Sequence, residues 1–325
     1  MLSQKFIKIN DEFLIRKDIK GKNLDNCLNF VVNQRSIKIS KIKKNYVKNI
    51  FQVINFPKNI GDEEVDVVIK SKFNNGYRFI NLNKSIIFSK NKNSNFNLGK
   101  IKRYKLNTIK FFPKTYLADG LVFQKLAKGV YYRPEKISDF KQNLLVNISR
   151  VVKKLSSIKK SEIKVSSYIE KLKYLKSTDK LNSKIIYNFT SILKDNKSEK
   201  IQLSLTHGDF KFEHLFIANN QLEFLVDWEN VGLRAVFFDL MNFFVPWFIY
   251  RSYDYFQIKN FLSRYVKIFL PNMSRLIKDK YDLYFAIFAI ERYLRINEKK
   301  NLKFSKVKAY KRYNNLFKKL NNKIY

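Results

Sequence analysis

The sequence predicts an α+β fold in two lobes, with strands first and helices after. Three observations support this. Short runs of β-branched and aromatic residues broken by polar ones fill residues 65–126. After Gly129, apolar residues recur at spacings of three and four over long stretches. Apolar residues make up 45% of the 325 positions and aromatics 16%, enough to build a core, so intrinsic disorder is excluded.

Residues 1–60 are weakly patterned, with short apolar alternations at 6–9 and 13–15. Residues 65–69, 77–82 and 85–90 read as three strands, and Asn74-Asn75-Gly76 as the turn between the first two. A short helix is expected over 98–106, then strands at 114–117 and 120–126. The N-terminal lobe is placed at residues 1–125, with 1–60 as an extension that no motif covers, and the helical lobe at 126–325. In the second lobe, Leu144, Leu145, Ile148, Val151, Val152 and Leu155 mark an amphipathic helix over 140–156. Further helices are expected at 168–175, 183–193, 255–269 and 279–295. Residues 203–238 between them read as short strands and loops.

The formal net charge is +38, but the cations are 52 Lys and only 13 Arg. Arg is the residue best suited to bidentate phosphate and base contacts. The excess therefore reads as a solvated Lys surface in an A/T-biased composition, and nucleic acid is not the expected partner. The lone Cys27 excludes an internal disulfide framework or a Cys-based zinc site and suits a reducing cytoplasm. Residues 1–10 lack the apolar run of a secretory signal. The most apolar stretch, 235–250, holds Asp239, Asn242 and Pro246 and is shorter than a membrane span of about 20 residues. A soluble, cytoplasmic protein is expected, with electrostatic contact to an anionic membrane surface left open.

Both His residues of the chain fall in His207-Gly208-Asp209-Phe210-Lys211-Phe212-Glu213-His214. Asp227-Trp228-Glu229, Gly232 and Asp239-Leu240 follow in order. These residues resemble the catalytic segment H-x-D-x-x-x-x-N of protein kinases and of the aminoglycoside/choline kinase-like phosphotransferases, followed by the D-W-E-x-x-G-x-x-x-x-x-x-D-L pattern of the small-molecule enzymes. The resemblance implies a bilobal protein kinase-like fold, with a strand-rich N-terminal lobe and a helical C-terminal lobe. It also implies transfer of the γ-phosphoryl group of ATP, with Mg²⁺, to a hydroxyl of a small molecule or a cell-surface sugar.

The same resemblance assigns roles. Asp209 is the expected base that orients the acceptor hydroxyl, and Asp227 the principal Mg²⁺ ligand. Lys211 is expected to lend positive charge to the transferring phosphoryl group. His207 is expected to be structural and Asp239 to buttress the loop, with helix N-terminal acid as the alternative for Asp239. Residues 85–90 resemble the strand that carries the phosphate-binding Lys, which makes Lys90 its candidate and Asn74–Gly76 the candidate phosphate-covering turn. Residues 119–129 resemble the strand and linker that present backbone groups to adenine, with Gln124 and Leu126 as nucleotide contacts.

Two departures from the pattern stand out. His214 occupies the second metal position, where Asn is usual, and a neutral imidazole is a poorer ligand for a hard cation. No Glu occurs between Glu64 and Glu135, so the helix Glu that pairs with the phosphate-binding Lys has no counterpart. A pseudokinase that binds without turnover, and a nucleic-acid-binding protein using the Lys surface, stand as rival readings. The aromatic faces of Trp228, Phe243, Phe244, Trp247, Tyr250, Tyr253 and Tyr255 suit a quaternary cation, but core packing is the favoured reading. The charge points instead to an anionic acceptor.

Overall fold

The computed structural model describes residues 3–9, 13–17, 53–57, 59–60, 63–70, 77–90, 98–119, 121–126, 130–131, 139–173 and 183–298. The turn expected at Asn74–Gly76 lies outside them. The chain divides into two compact units, residues 1–132 with 213–229, and residues 133–212 with 230–325.

In the first unit, short runs rich in β-branched and aromatic residues form an antiparallel sheet. Its spatial order is Val53–Pro57, Ser3–Lys8, Phe13–Arg16, Val67–Lys70, Tyr77–Asn81, Ile86–Lys90, Leu121–Lys125 and Thr115–Ala118. The register sets Phe79 opposite Phe88 and Phe88 opposite Phe123. These rings lie on one face, with centroids 5.7 and 5.6 Å apart, and Phe6, Leu14, Val68 and Leu121 complete the core. Such cross-strand aromatic pairs fix the register, because a one-residue slip would turn every ring to the other face. The expected helix over 98–106 is shorter, Leu98–Arg103, and stops where Lys105 takes a left-handed φ of 50° before a 3₁₀ turn at Leu106–Thr108. The hairpin Leu215–Ala218 and Gln221–Leu225 also belongs to this unit. Its turn residues Asn219 and Asn220 have φ of 51° and 59°, a conformation that Asn tolerates better than other non-glycine residues.

The second unit packs helices around a three-stranded antiparallel sheet, Lys160–Lys164, Lys200–Thr206 and Gly232–Ala235, with Lys200–Thr206 in the middle. The helices are Gln142–Ile158, Val165–Lys173, Ser183–Asp195, Phe238–Tyr250, Tyr255–Phe269 and Ser274–Glu298. Tyr255–Phe269 begins at a capping box made by Asp254 and Gln257. Ser274–Glu298 starts earlier than expected, with a kink at Lys280. Phe238–Tyr250 is a helix that periodicity does not reveal. Nearly every one of its residues is apolar and buried, so no polar face marks the turn of the chain. Phe140 anchors the aromatic core here, 4.6 Å from Trp247 and 5.6 Å from Phe244. Among the described residues no helix is long and apolar enough to cross a membrane.

Candidate active site

In the second unit, the central strand ends at Thr206 and the chain must leave the sheet abruptly. Gly208 makes this possible with a φ of +81°. A Cβ there would lie 2.4 Å from the Asn230 carbonyl oxygen and 2.5 Å from an Arg234 guanidinium nitrogen, so both conformation and space require glycine. The peptide N–H groups of His207 and Gly208 donate to the two carboxylate oxygens of Asp239, at 2.6 and 2.9 Å. Three residues further along the same helix, Asn242 Nδ2 donates to the Phe210 carbonyl at 2.9 Å. One helix face thus holds the loop backbone on both sides of Asp209.

Burial raises the Asp239 carboxyl to about 6, against the pull of the two backbone N–H donors and of Arg234. His207 is fully buried, and its Nδ1 accepts the Asp209 N–H at 3.3 Å, which leaves the ring proton on Nε2. Its role is in the loop's own hydrogen bonding.

The Asp209 side chain is mostly enclosed and meets two cations. Lys211 Nζ lies 2.9 Å from Oδ2, and Arg292 reaches within 3.6 Å of Oδ1 from Ser274–Glu298. Behind the loop, Arg234 Nε donates to Glu291 Oε1 at 2.8 Å, and its other nitrogens donate to Thr206 Oγ1 and the Asn230 carbonyl at 2.7 and 2.8 Å. Tyr168 donates its hydroxyl proton to Glu291 Oε2.

In the first unit, Asp227 follows the hairpin. Its own φ is +68°, a region that costs a non-glycine residue energy and so requires support from its surroundings. Trp228 supplies that support. It is 1% exposed, its ring lies 5.2 Å edge-on to Phe112 and stacks 6.2 Å from Phe111, and its indole N–H donates to the Leu225 carbonyl. Main-chain bonds from Leu225 to Phe111 and from Val226 to His214, 2.8 and 3.0 Å, complete the turn. His214, 7% exposed, sets Nε2 3.1 Å from Asp227 Oδ2. Lys100, on Leu98–Arg103, donates to the Glu229 carbonyl at 3.0 Å. Lys100 therefore ties this helix to the turn after Asp227.

The expected nucleotide contacts lie on or next to two adjacent strands. Lys90 pairs with Leu121 across Ile86–Lys90 and Leu121–Lys125; its side chain lies outside the described residues. Gln124 Nε2 donates to Thr115 Oγ1 at 3.1 Å, so this side chain ties two strands together. Leu126 is buried and its N–H donates to the Ser85 carbonyl at 2.8 Å. The aromatics weighed as a cation pocket are mainly core. Phe243, Phe244, Trp247 and Tyr255 are at most 7% exposed, and the Arg251 guanidinium covers the Trp247 ring at 3.9 Å.

Sequence reasoning missed Asn242, Arg234, Glu291, Arg292 and Lys100. Asn242 stands one turn after Asp239 and could have been found from that spacing once a helix was assigned. The others act across 57 to 129 residues of chain, and no local pattern marks them.

No protein-family model matches the sequence, and no curated protein does. Solved structures do match in fold. The chain is similar to the amicoumacin kinase hAmiN in complex with AMP-PNP, Ca2+ and Ami, at 13% identity over 79% of this chain and 87% of that one, with a TM-score of 0.53. It is also similar to LicA, a choline kinase from Streptococcus pneumoniae, in complex with AMP, at 18% identity over 80% and 94% and a TM-score of 0.51. A thermostable mutant of the aminoglycoside phosphotransferase APH(4)-Ia, in its apo form, matches at 10% identity over 78% and 95%, with a TM-score of 0.50. At these identities the shared property is the fold. The chain has the kinase-like α+β fold and resembles the aminoglycoside/choline kinase-like phosphotransferases in it.

Proposed function

We propose that the protein is an ATP-dependent phosphotransferase acting on a hydroxyl of a small molecule or sugar. The observation that carries this reading is the setting of Asp209, a carboxylate on a glycine-dependent loop whose backbone is locked to a buried Asp239. Such locking is what a general base needs, because phosphoryl transfer demands little covalent chemistry of the protein and depends on positioning.

In this reading Asp209 orients the acceptor hydroxyl and takes its proton as the oxygen bonds to the γ-phosphorus and ADP leaves. Lys211 moves its charge from Asp209 to the phosphoryl oxygens. Asp227 and His214 are the proposed metal-holding residues. A half-exposed carboxylate fits a divalent cation, and the neighbouring imidazole shifts the preference from Mg²⁺ towards Mn²⁺. A bound cation supplies neutralisation of charge on the β- and γ-phosphates. Lys90, Gln124 and Leu126 are the proposed ATP side of the site. A phosphorylated or acidic sugar is the favoured acceptor, since the aromatic faces are packed away and the +38 charge draws anions in.

The test is ATP consumption with Mg²⁺ or Mn²⁺ over a panel of sugar and sugar-phosphate acceptors, comparing the protein with Asp209→Ala. Loss of metal-dependent turnover in the variant is expected. Equal consumption by both would refute the assignment.

A further inference from the structure

Lys211 and Arg292 flank Asp209 differently. The Lys211 side chain is 39% exposed and two residues away, on the same loop. The Arg292 side chain is only 17% exposed and comes from a helix more than eighty residues further on. Its neighbour Glu291, with a side chain 4% exposed, is fixed by Arg234 and by the Tyr168 hydroxyl. Arg234 is itself wedged against Gly208, Thr206 and Asn230, and its guanidinium lies 5.2 Å from the Phe238 ring. Consecutive residues on a helix point about 100° apart. The buried Glu291 network therefore sets the helix rotation, and that rotation aims Arg292 at Asp209 Oδ1.

We propose that Arg292 is a positioning residue for Asp209, an inference that rests on the phosphotransferase reading above. Arg292 anchors Oδ1 throughout the reaction, while Lys211 leaves Oδ2 for the transferring phosphoryl group and so frees that oxygen to receive the hydroxyl proton. A rigid guanidinium suits the anchoring task better than a flexible ammonium. The Ser274–Glu298 helix thereby becomes part of the catalytic apparatus.

The experiment uses the full chain with Arg292→Ala, Arg292→Lys, Asp209→Asn and the Arg292→Ala/Asp209→Asn double variant. Thermal unfolding reads the pair independently of activity. The double variant should depart from additivity by about 2 °C, because the pair is lost only once. Strict additivity overturns the proposal. In the ATP-consumption assay, Arg292→Ala should lose about tenfold to a hundredfold in kcat with an unchanged KM for ATP. Arg292→Lys, or guanidinium ion added to Arg292→Ala, should restore part of the loss. A KM that rises in step with the loss, or no recovery in either rescue, marks a merely structural residue and overturns the role. Turnover that needs Asp209 but not Arg292 sinks this inference alone, whereas equal ATP consumption with and without Asp209 sinks the phosphotransferase reading and this role together.

Discussion

The two acidic residues proposed for chemistry sit in contrasting environments. Asp209 belongs to a loop held by polar contacts, with two N–H donors on a buried carboxylate and two cations at its own oxygens. Asp227 belongs to a turn held mainly by apolar packing around Trp228, with a strained backbone of its own and the His214 imidazole beside its carboxylate. Their side chains are 16% and 38% exposed. The difference matches the proposed tasks, since a base must keep one orientation and a metal ligand must keep an accessible face.

The largest expected effect breaks the apolar side of the comparison. Trp228→Ala removes the ring that supports the left-handed Asp227, and stability should fall by about 4 kcal/mol in chemical denaturation. On the polar side, Asp239→Ala orphans two buried N–H donors and should cost about 3 kcal/mol. Gly208→Ala should cost about 2 kcal/mol or more through backbone strain and the clash with Asn230. Gly232→Ala is the internal control, because a Cβ there meets only an Arg234 nitrogen at 3.8 Å. It should stay within about 1 kcal/mol.

Legibility in the sequence follows the range of the interactions. Strands such as Tyr77–Asn81 and Ile86–Lys90 were readable because β-branched and aromatic residues cluster there in short runs broken by polar ones. The segment from His207 to Asp239 stood out because it sets His, Asp, Gly and Asp-Trp-Glu at the spacing of the phosphotransferase pattern it resembles. The helix Phe238–Tyr250 was not, as burial on all sides erases the periodicity that reveals a helix. Arg292 was invisible for a different reason. Only the fold brings it to Asp209, and a single Arg among 65 basic residues carries no signal.

Two further effects, of pH and of the metal, sharpen the comparison. Asp239 is held above its unfolded value of 3.8, at about 6, so the folded state binds the extra proton between those values. Stability from this group is present below about pH 4 and lost as pH rises through 6. Relative to Asp239→Asn, the wild type should therefore lose about 2–3 kcal/mol between pH 4 and 6 in urea denaturation. Opposite or absent pH dependence would remove the buried carboxylate from the account. Finally, His214→Asn should change stability by about 1 kcal/mol or less while shifting turnover from Mn²⁺ towards Mg²⁺, read as the ratio of rates with the two ions.

Binding of AMP-PNP in the presence of Mg²⁺ or Mn²⁺, measured by calorimetry, tests the division of roles most directly. Asp227→Ala should weaken binding at least tenfold, because it removes the proposed metal ligand. Asp209→Ala should leave affinity within about threefold, because the base acts on the acceptor. Equal losses in the two variants, or none in either, would contradict the assignment of one carboxylate to metal and the other to proton transfer.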